Sequence, residues 1–225
     1  MSLSHSPLRV SLQKALTQAA IELPAEQLQQ LDAFLQLIGK WNRAFNLTAV
    51  RELDQMIPRH IIDSLSLLAY LRTGDAGISD SHIDVIDIGS GAGLPVIPLA
   101  IVHPQLNFLS IESNGKKTRF QQQAKVELGL QNITVMQERV ENVQAQASCV
   151  VSRAFTAPDK FLQIAGGLCK PGGQVLIMLG KADKLPEQLP EPFQLESVEQ
   201  VRIAGVDSER HIAVVSCSPP AIPAP

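Results

Sequence analysis

Cysteine is scarce in this sequence, with three residues among 225. Cys149, Cys169 and Cys217 are odd in number and lack the paired spacing of a zinc site, so we expect neither a disulfide framework nor a bound metal. Cys149 and Cys169 lie in apolar stretches, which favours buried structural thiols over a reactive nucleophile. This cysteine usage is typical of a reducing compartment, and we expect a cytoplasmic protein.

Long apolar runs are also missing. The longest run, residues 94–102, contains Pro95 and Pro98 and is too short to cross a bilayer. Residues 1–20 lack the continuous apolar core of a secretory signal. These two features predict a protein that has no membrane partner.

Neither sign of charge is in large excess. The formal net charge is −3 and the isoelectric point is near 5.9, which excludes a generally basic nucleic-acid binder. We expect no DNA partner, and any contact with RNA has to come from a local basic patch. The hydrophobic fraction of 45% and the charged fraction of 18% are ordinary for a globular chain with a full core.

Three alternating glycines stand in residues 87–93, which read Asp-Ile-Gly-Ser-Gly-Ala-Gly. This segment follows an apolar run at 83–88 and precedes another at 94–102. The order strand, glycine turn and helix is typical of a nucleotide-cofactor site, where the helix start adds a favourable dipole. The dinucleotide fingerprint, however, requires a third glycine where this sequence has Leu94.

The pattern D-x-G-x-G-x-G resembles motif I of the methyltransferases that use S-adenosylmethionine. The resemblance implies that Gly89, Gly91 and Gly93 lie against that cofactor. A glycine turn without a ligand is the alternative, and we disfavour it because three glycines sacrifice chain rigidity without a packing benefit. A nicotinamide-dependent dehydrogenase is kept as a further, weaker hypothesis.

A carboxylate follows the second apolar run of this region. Residues 106–111 read as a strand, and Glu112 stands at its end, about 20 residues beyond the glycine turn. In that position a carboxylate can accept hydrogen bonds from both ribose hydroxyls of a nucleotide. The alternative is an N-cap for the helix that begins near Gly115. Both roles can coexist, and we favour the ribose.

Apolar runs alternate with helical stretches through the middle of the chain, which predicts a parallel sheet with helices on both faces. The turn 170–173, Lys-Pro-Gly-Gly, should separate a helix from the fifth strand, and Gly129 should end the preceding helix. Residues 193–203 and 211–217 predict an antiparallel pair at the sheet edge. The remaining strand candidates are 83–88, 106–111, 133–136, 149–152 and 174–179.

Helices are expected before the glycine turn. Apolar residues from Leu28 to Trp41 recur at spacings of three and four, and Pro24 is a suitable helix start. We therefore divide the chain into an N-terminal helical extension (1–80) that packs on the sheet, a methyltransferase domain (81–217) of Rossmann-like α/β fold, and a proline-rich disordered tail (218–225).

Four segments together resemble one methyltransferase family: 41–48 (Trp-Asn-Arg-Ala-Phe-Asn-Leu-Thr), 59–65 (Arg-His-Ile-Ile-Asp-Ser-Leu), 87–98, and 152–155 (Ser-Arg-Ala-Phe). The family is ribosomal small subunit methyltransferase G, also called glucose-inhibited division protein B. The resemblance implies methyl transfer from S-adenosylmethionine to N7 of a guanine in 16S ribosomal RNA, presented as free RNA or in a small-subunit particle.

Carried over to this chain, the family's cofactor site falls on Gly89, Leu94, Val140, Glu141 and Arg153. The resemblance places Val140 and Glu141 beside the adenine. The chain departs from the family at two places. Valine stands at position 96 where glycine is usual, and Lys181 follows Gly180 where the family has lysine before glycine.

Guanine N7 carries an in-plane lone pair, so its methylation needs no proton removal, and we assign no catalytic residue. Methylation of an exocyclic amine would favour an Asn/Asp-Pro-Pro-aromatic motif, which this sequence lacks. Methylation of a pyrimidine at C5 would require a thiolate nucleophile. Two other functions stay open: methylation of a small molecule or protein, and a non-catalytic cofactor-binding role in ribosome assembly.

Basic residues that could contact RNA are dispersed through the chain. For any single one the alternative is a solvated charge or an intrahelical pair, such as Arg59 with Asp63. Lys116 and Lys117 begin a helix, where cations oppose the helix dipole and suggest an anion nearby. The candidates are Arg43, Arg59, His60, Arg139, Arg153, Lys181 and Arg210.

Overall fold

A computed structural model describes residues 6–72, 82–153, 157–182, 185–186 and 188–218. The strands form one seven-stranded sheet in the order β3-β2-β1-β4-β5-β7-β6. Strands β1 to β5 are parallel, whereas β7 is antiparallel to both β5 and β6. This topology confirms the predicted parallel sheet with an antiparallel edge pair. The strands are β1 Val85–Ile88, β2 Phe108–Ile111, β3 Ile133–Met136, β4 Ala147–Arg153, β5 Cys169–Leu179, β6 Phe193–Gln200 and β7 His211–Cys217.

The helices of the described residues are unevenly distributed, with most of the helical chain before β1 or between β1 and β3. A π-helical segment, Ile57–Ile62, joins two short α-helices, and 3₁₀ turns occupy Ser66–Ala69 and Val140–Asn142. The α-helices are α1 Pro7–Gln18, α2 Ala25–Phe45, α3 Leu53–Met56, α4 Asp63–Leu65, α5 Val96–Val102, α6 Gly115–Glu127 and α7 Pro158–Ala165. No helix among the described residues is long and apolar enough to span a bilayer.

Helix α2 confirms the predicted amphipathic helix. Pro24 precedes its first turn, and Asn46 ends it in the left-handed conformation with φ of 50°. Leu31 and Phe34 are fully buried, and the Phe34 ring lies 6.2 Å from the ring of Phe120 on α6. The N-terminal helices therefore share one hydrophobic core with the helices of the sheet.

Alternate residues of the strands serve the two faces of the sheet. Val85 and Val151 belong to the core under α2, α5 and α6, whereas Ile86 and Val150 belong to the core under α7. The predicted boundary between residues 80 and 81 lies outside the described residues, as does the predicted tail except for Ser218. The division into extension, domain and tail stays a prediction.

The limits of some strands differ from the prediction. Residues 170–173 were expected to separate a helix from β5, but they lie inside β5 as an irregularity. Ala147 pairs with Cys169 and Cys149 with Gln174, so the β4–β5 register skips these four residues. Gly172 permits the excursion with φ of 79°.

Candidate functional site

Parallel strands bring their carboxyl ends to one edge of the sheet, and the predicted cofactor residues follow those ends. Gly89 follows β1, Glu112 follows β2, Val140 follows β3, and Arg153 is the last residue of β4. The connections run in opposite directions from β1 and β4, which are neighbours in the sheet. Ligands of open α/β sheets bind at this switch point.

The glycine turn requires glycine for its backbone. Gly89, Gly91 and Gly93 have φ of 69°, 59° and 74°, in the left-handed region. A Cβ at Gly91 would meet only two atoms, both 3.9 Å away, one of them the Lys117 Nζ atom. A Cβ at Gly93 would lie 2.3 Å from Ile97 Cδ1. The expectation that none of these glycines has a packing role is therefore wrong for Gly93.

Asp87 lies beneath the turn and is fully buried. Its Oδ2 atom accepts a hydrogen bond from the Val96 N–H (3.2 Å), and its buried Oδ1 atom has no partner among the described residues. Burial raises the Asp87 pKa to about 7, although the Val96 N–H and the Arg153 guanidinium act in the opposite direction. The Val96 backbone N–H thus bonds the carboxylate beneath the turn, whereas the Val96 side chain packs in the core.

Leu94 is also part of the core, with 3% of its surface exposed. Its backbone N–H donates to the Ser90 carbonyl oxygen (2.9 Å), so the Leu94 side chain and N–H both have roles within the protein.

Three buried side chains support the turn from below. The Ser110 hydroxyl donates to Gln121 Oε1 (2.5 Å), and Gln121 Nε2 donates to Ser90 Oγ (2.8 Å). The two serine oxygens are 2.6 Å apart. Since the Ser110 proton is directed to Gln121, Ser90 donates to Ser110, which closes a ring of three hydrogen bonds. Gln121 Nε2 also donates to the Gly91 carbonyl oxygen (2.8 Å) and so fixes the middle of the turn.

Replacing Gln121 by methionine is expected to lower the free energy of unfolding by about 2 kcal/mol, because the two hydroxyls and the Gly91 carbonyl lose partners while buried. Urea denaturation measures this loss. Gln123→Met is the matched control on the same helix, since Gln123 is exposed and, among the described residues, its side chain bonds only the exposed Glu127. Equal stabilities for the two variants would contradict a supporting role for Gln121.

A cavity of about 360 Å³ opens beside the turn. Its lining includes four predicted cofactor residues, Gly89, Glu112, Val140 and Glu141, and the RNA candidate Arg139. The other predicted cofactor residues lie outside this lining. Contact with a cofactor stays a prediction for all eight residues: Gly89, Gly91, Gly93, Leu94, Glu112, Val140, Glu141 and Arg153.

Glu112 connects the turn to the start of α6. Its Oε2 atom accepts from the Gly91 N–H (2.9 Å) and its Oε1 atom from the Asn114 N–H (2.8 Å). The N-cap of α6 is Asn114, whose side chain accepts from Lys116 N and Lys117 N. The alternative role of Glu112 as N-cap is therefore wrong. Each carboxylate oxygen keeps a further lone pair for a ribose hydroxyl.

Sequence reasoning missed three polar residues of this cavity as site residues: Ser113, Lys117 and Glu138. Lys117 had a signal, because a cation in the first turn of α6 suggested an anion nearby, and Glu112, Glu138 and Glu141 line the same cavity. Ser113 and Glu138 carry no motif, and only the fold places them here.

A second cavity, of about 430 Å³, lies at the same sheet edge beyond β4. It brings together Arg59, His60, Arg153 and Arg210, which are candidates for RNA contact. The other candidates are elsewhere: Arg139 lines the first cavity, Arg43 lies with Lys40 and Arg51 in a surface groove, and Lys181 is exposed. The lining comprises Val50, Arg59, His60, Asp63, Arg153, Met178, Leu179, Gly180 and Arg210.

The four-residue spacing suggested that Asp63 pairs with Arg59, but the two side chains do not pair in the structure. Its carboxylate accepts from Arg153 Nη1 (3.1 Å) and Arg210 Nε (3.2 Å). The Arg59 backbone carbonyl accepts from Arg153 Nη1 (3.2 Å). Tertiary contacts thus replace the expected intrahelical pair.

His60 is 5% exposed, and both of its ring nitrogens have partners. Nδ1 is 2.9 Å from the Arg59 carbonyl oxygen, which can only accept, so Nδ1 carries the proton. Nε2 therefore accepts from the Thr48 hydroxyl at 2.9 Å. Burial first, and the Arg153 charge second, lower the His60 pKa to about 4. This arrangement favours a packing role for His60 over direct RNA contact.

Asp87 and His60 are expected to make the free energy of unfolding depend on pH in opposite directions. The raised pKa of Asp87, from 3.8 to about 7, means that its contribution to stability is lost as pH rises between these values. The pKa of His60 is lowered from 6.5 to about 4, so its contribution to stability is lost as pH falls between these two values. Urea denaturation between pH 4 and pH 8 tests both.

Relative to the wild type, Asp87→Asn should gain stability as pH rises, and His60→Gln should gain stability as pH falls. Curves parallel to that of the wild type would show that neither group has the assigned ionisation.

Comparison with known proteins agrees with this geometry. A family model described as rRNA small subunit methyltransferase G matches residues 27–213. The ribosomal RNA small subunit methyltransferase G of Marinobacter nauticus is 42% identical over 208 residues, covering 91% of this chain and 93% of the relative. The protein of that name from an Azoarcus species is 37% identical over 214 residues, covering 94% and 97%.

Solved structures share the fold at low sequence identity. TrmN from Thermus thermophilus has a TM-score of 0.55 and 18% identity, covering 72% of this chain and 53% of TrmN. Magnesium protoporphyrin IX methyltransferase from Synechocystis PCC 6803 with bound S-adenosylmethionine has a TM-score of 0.56 and 14% identity, covering 82% and 97%. The predicted Rossmann-like methyltransferase fold is confirmed. With a family model that matches most of its length and relatives near 40% identity, the chain belongs to the rRNA small subunit methyltransferase G family.

Proposed function

We propose that this protein transfers a methyl group from S-adenosylmethionine to N7 of a guanine in 16S ribosomal RNA. The observation that carries the proposal is the pair of cavities at one sheet edge. One is lined by Gly89 and Glu112, and the other by Arg59, Arg153 and Arg210. A donor and an anionic acceptor can therefore meet at the β1–β4 switch point.

The residues of the first cavity fit the cofactor. Glu112 has carboxylate lone pairs for the ribose, and Val140 and Glu141 can flank the adenine. The open space over Gly91 admits a group that a side chain would exclude. When bound, S-adenosylmethionine supplies an electrophilic methyl group on a sulfonium. The tasks of the protein are then to hold both partners in line and to exclude water.

The acceptor chemistry agrees with the residues of the second cavity. N7 attacks with its own lone pair and the guanine takes up the positive charge, so no base has to remove a proton. The His60 ring, which would be the obvious base, uses both nitrogens within the protein. Burial raises the Cys149 pKa to about 12, which argues against a thiolate for pyrimidine C5 methylation.

RNA contacts are assigned from the positions of the basic residues. We place Arg59 and Arg210 at the second cavity, which we call the acceptor cavity, Arg139 at the first cavity, Arg43 in the surface groove with Lys40 and Arg51, and Lys181 on the exposed surface. Arg59 and Asp63 come from the N-terminal helical extension, which thus forms part of the acceptor side. We propose a cytoplasmic site of action, with ribosomal RNA or a small-subunit particle as partner and neither DNA nor membrane.

The test compares acceptors. Labelled S-adenosylmethionine is incubated with the protein and with 16S RNA or small-subunit particles that lack the modification, and in parallel with small metabolites and soluble proteins. We expect label in the RNA and a single N7-methylguanosine on mapping. Label only in metabolites or proteins would replace the proposal by another methyltransferase activity, and cofactor binding without any product would indicate an assembly factor.

A further inference from the structure

Asp63 is a buried carboxylate that holds two arginines from distant parts of the chain. Asp63 is 4% exposed, and Oδ2 and Oδ1 each accept from a different guanidinium, Arg153 at 3.1 Å and Arg210 at 3.2 Å. The arginines lie 90 and 147 residues further along the chain. Asp63 is on α4, Arg153 ends β4, and Arg210 immediately precedes β7. One side chain thus connects three elements at the rim of the acceptor cavity.

The contacts among the described residues engage only part of each guanidinium. Arg153 Nη1 is shared between Asp63 and the Arg59 carbonyl oxygen. Arg210 uses Nε for Asp63 and Nη1 for Glu209 O and Ser208 Oγ. Nη2 of both arginines makes no hydrogen bond to the described part of the protein. Their side chains are 23% and 27% exposed, so these donors can reach a ligand in the cavity.

Charge also points to an anionic ligand. The cavity lining contains Arg59, Arg153 and Arg210, one carboxylate from Asp63, and His60 with its ring neutral. This leaves an excess of two positive charges in a chain whose formal net charge is −3. Guanidinium groups with free N–H donors match the oxygens of a phosphate.

We propose that Asp63 is a positioning residue, which orients Arg153 and Arg210 so that their free N–H groups bind the phosphate of the nucleotide to be methylated. This inference rests on the proposed function and adds to it the part of the RNA, a phosphate, that the two arginines bind. Fixing the phosphate fixes the base against the methyl donor, and small misplacements at that stage cost large factors in rate.

The test uses Asp63→Asn and Arg210→Gln, with Glu196→Gln as the matched control. Glu196 on β6 also forms an ion pair with an arginine, Arg72, but lies outside the acceptor cavity. Cofactor affinity is measured by calorimetry, kcat and KM for RNA by methyl transfer, and fold by the melting temperature. The salt dependence of kcat/KM reports the number of phosphate contacts.

For Asp63→Asn we expect kcat to fall about 10- to 100-fold. Its KM and salt dependence should stay near those of the wild type, because removing a carboxylate does not weaken attraction for a phosphate. Arg210→Gln should raise KM and reduce the salt slope by about one. Combining the two should lose less than the product of the single effects. Glu196→Gln should match the wild type, and Arg210→Gln should leave cofactor affinity unchanged.

Several results would overturn the proposal. One is an unchanged kcat in Asp63→Asn; another is a loss that affects only the melting temperature or cofactor affinity. If Asp63→Asn does not fold, the Arg210→Gln variant decides, and an unaltered salt slope in that variant overturns the proposal.

If the wild type methylates no RNA, the proposed function fails separately. The positioning of Arg210 by Asp63 is then tested by nitrogen NMR of the Arg210 Nε–H. Slow hydrogen exchange that becomes fast in Asp63→Asn, with a shift of this resonance on addition of a short RNA, supports it. Equal exchange, or no shift, overturns it.

Discussion

Gly91→Val is expected to reduce affinity for S-adenosylmethionine by at least about 100-fold, or roughly 3 kcal/mol. Gly91 has φ of 59°, and apart from its chain neighbours no atom of the described residues would lie closer than 3.9 Å to a Cβ there. The branched side chain would therefore project into space that the proposed cofactor needs, beside Lys117 of the cavity lining. Calorimetry with S-adenosylmethionine or S-adenosylhomocysteine measures the loss.

Gly129→Val is the control for backbone strain. Gly129 has φ of 68°, no atom within 4 Å of its Cβ position, and a location at the end of α6 outside the cavity. Both variants should lose a similar amount of stability from the left-handed backbone, about 1–2 kcal/mol. Only Gly91→Val should lose the cofactor. Equal affinities in the two variants would remove the glycine turn from the proposed site.

Gly93→Ala is expected to lower the free energy of unfolding by about 2–4 kcal/mol. Strain at φ of 74° accounts for about 1–2 kcal/mol of this. Overpacking accounts for the rest, because the new Cβ would lie 2.3 Å from Ile97 Cδ1 and 2.7 Å from Cγ1. Urea denaturation gives the value.

The control is Gly172→Ala, where φ is 79° and no atom lies within 4 Å of the Cβ position. It should show the strain alone. In a background of Ile97→Ala, Gly93→Ala should cost less than in the wild type, since the overlapping atoms are gone. An equal cost in both backgrounds would show that the turn moves away from α5 instead of pressing against it.

The order of elements was predictable because each apolar run is short, buried and followed by a turn. The strand before the glycines, the carboxylate after the second strand, and the antiparallel edge pair are all visible in local patterns. Their convergence at one sheet edge follows from parallel pairing. The substrate named by the resemblance, by contrast, depends on family membership and not on any local pattern.

The charge partners were not predictable. Asp63 and Arg59 have the spacing of a helical pair, yet Asp63 bonds two arginines that only the folded sheet brings near. The packing role of Gly93 was hidden for a related reason, because its neighbour Ile97 meets it only after α5 forms at a specific angle. A turn inside β5 was misplaced because glycine and proline mark a bulge as readily as an end.

The packing of α2 on α6 also bears on how the chain is made. During synthesis Phe34 leaves the ribosome well before Phe120, the ring that helps to cover it. A nascent chain that ends before α6 exposes the apolar stripe of α2 to chaperones or to other chains. Phe34 lacks this part of its cover until synthesis has passed α6, so we expect truncation before that helix to yield a fragment that aggregates.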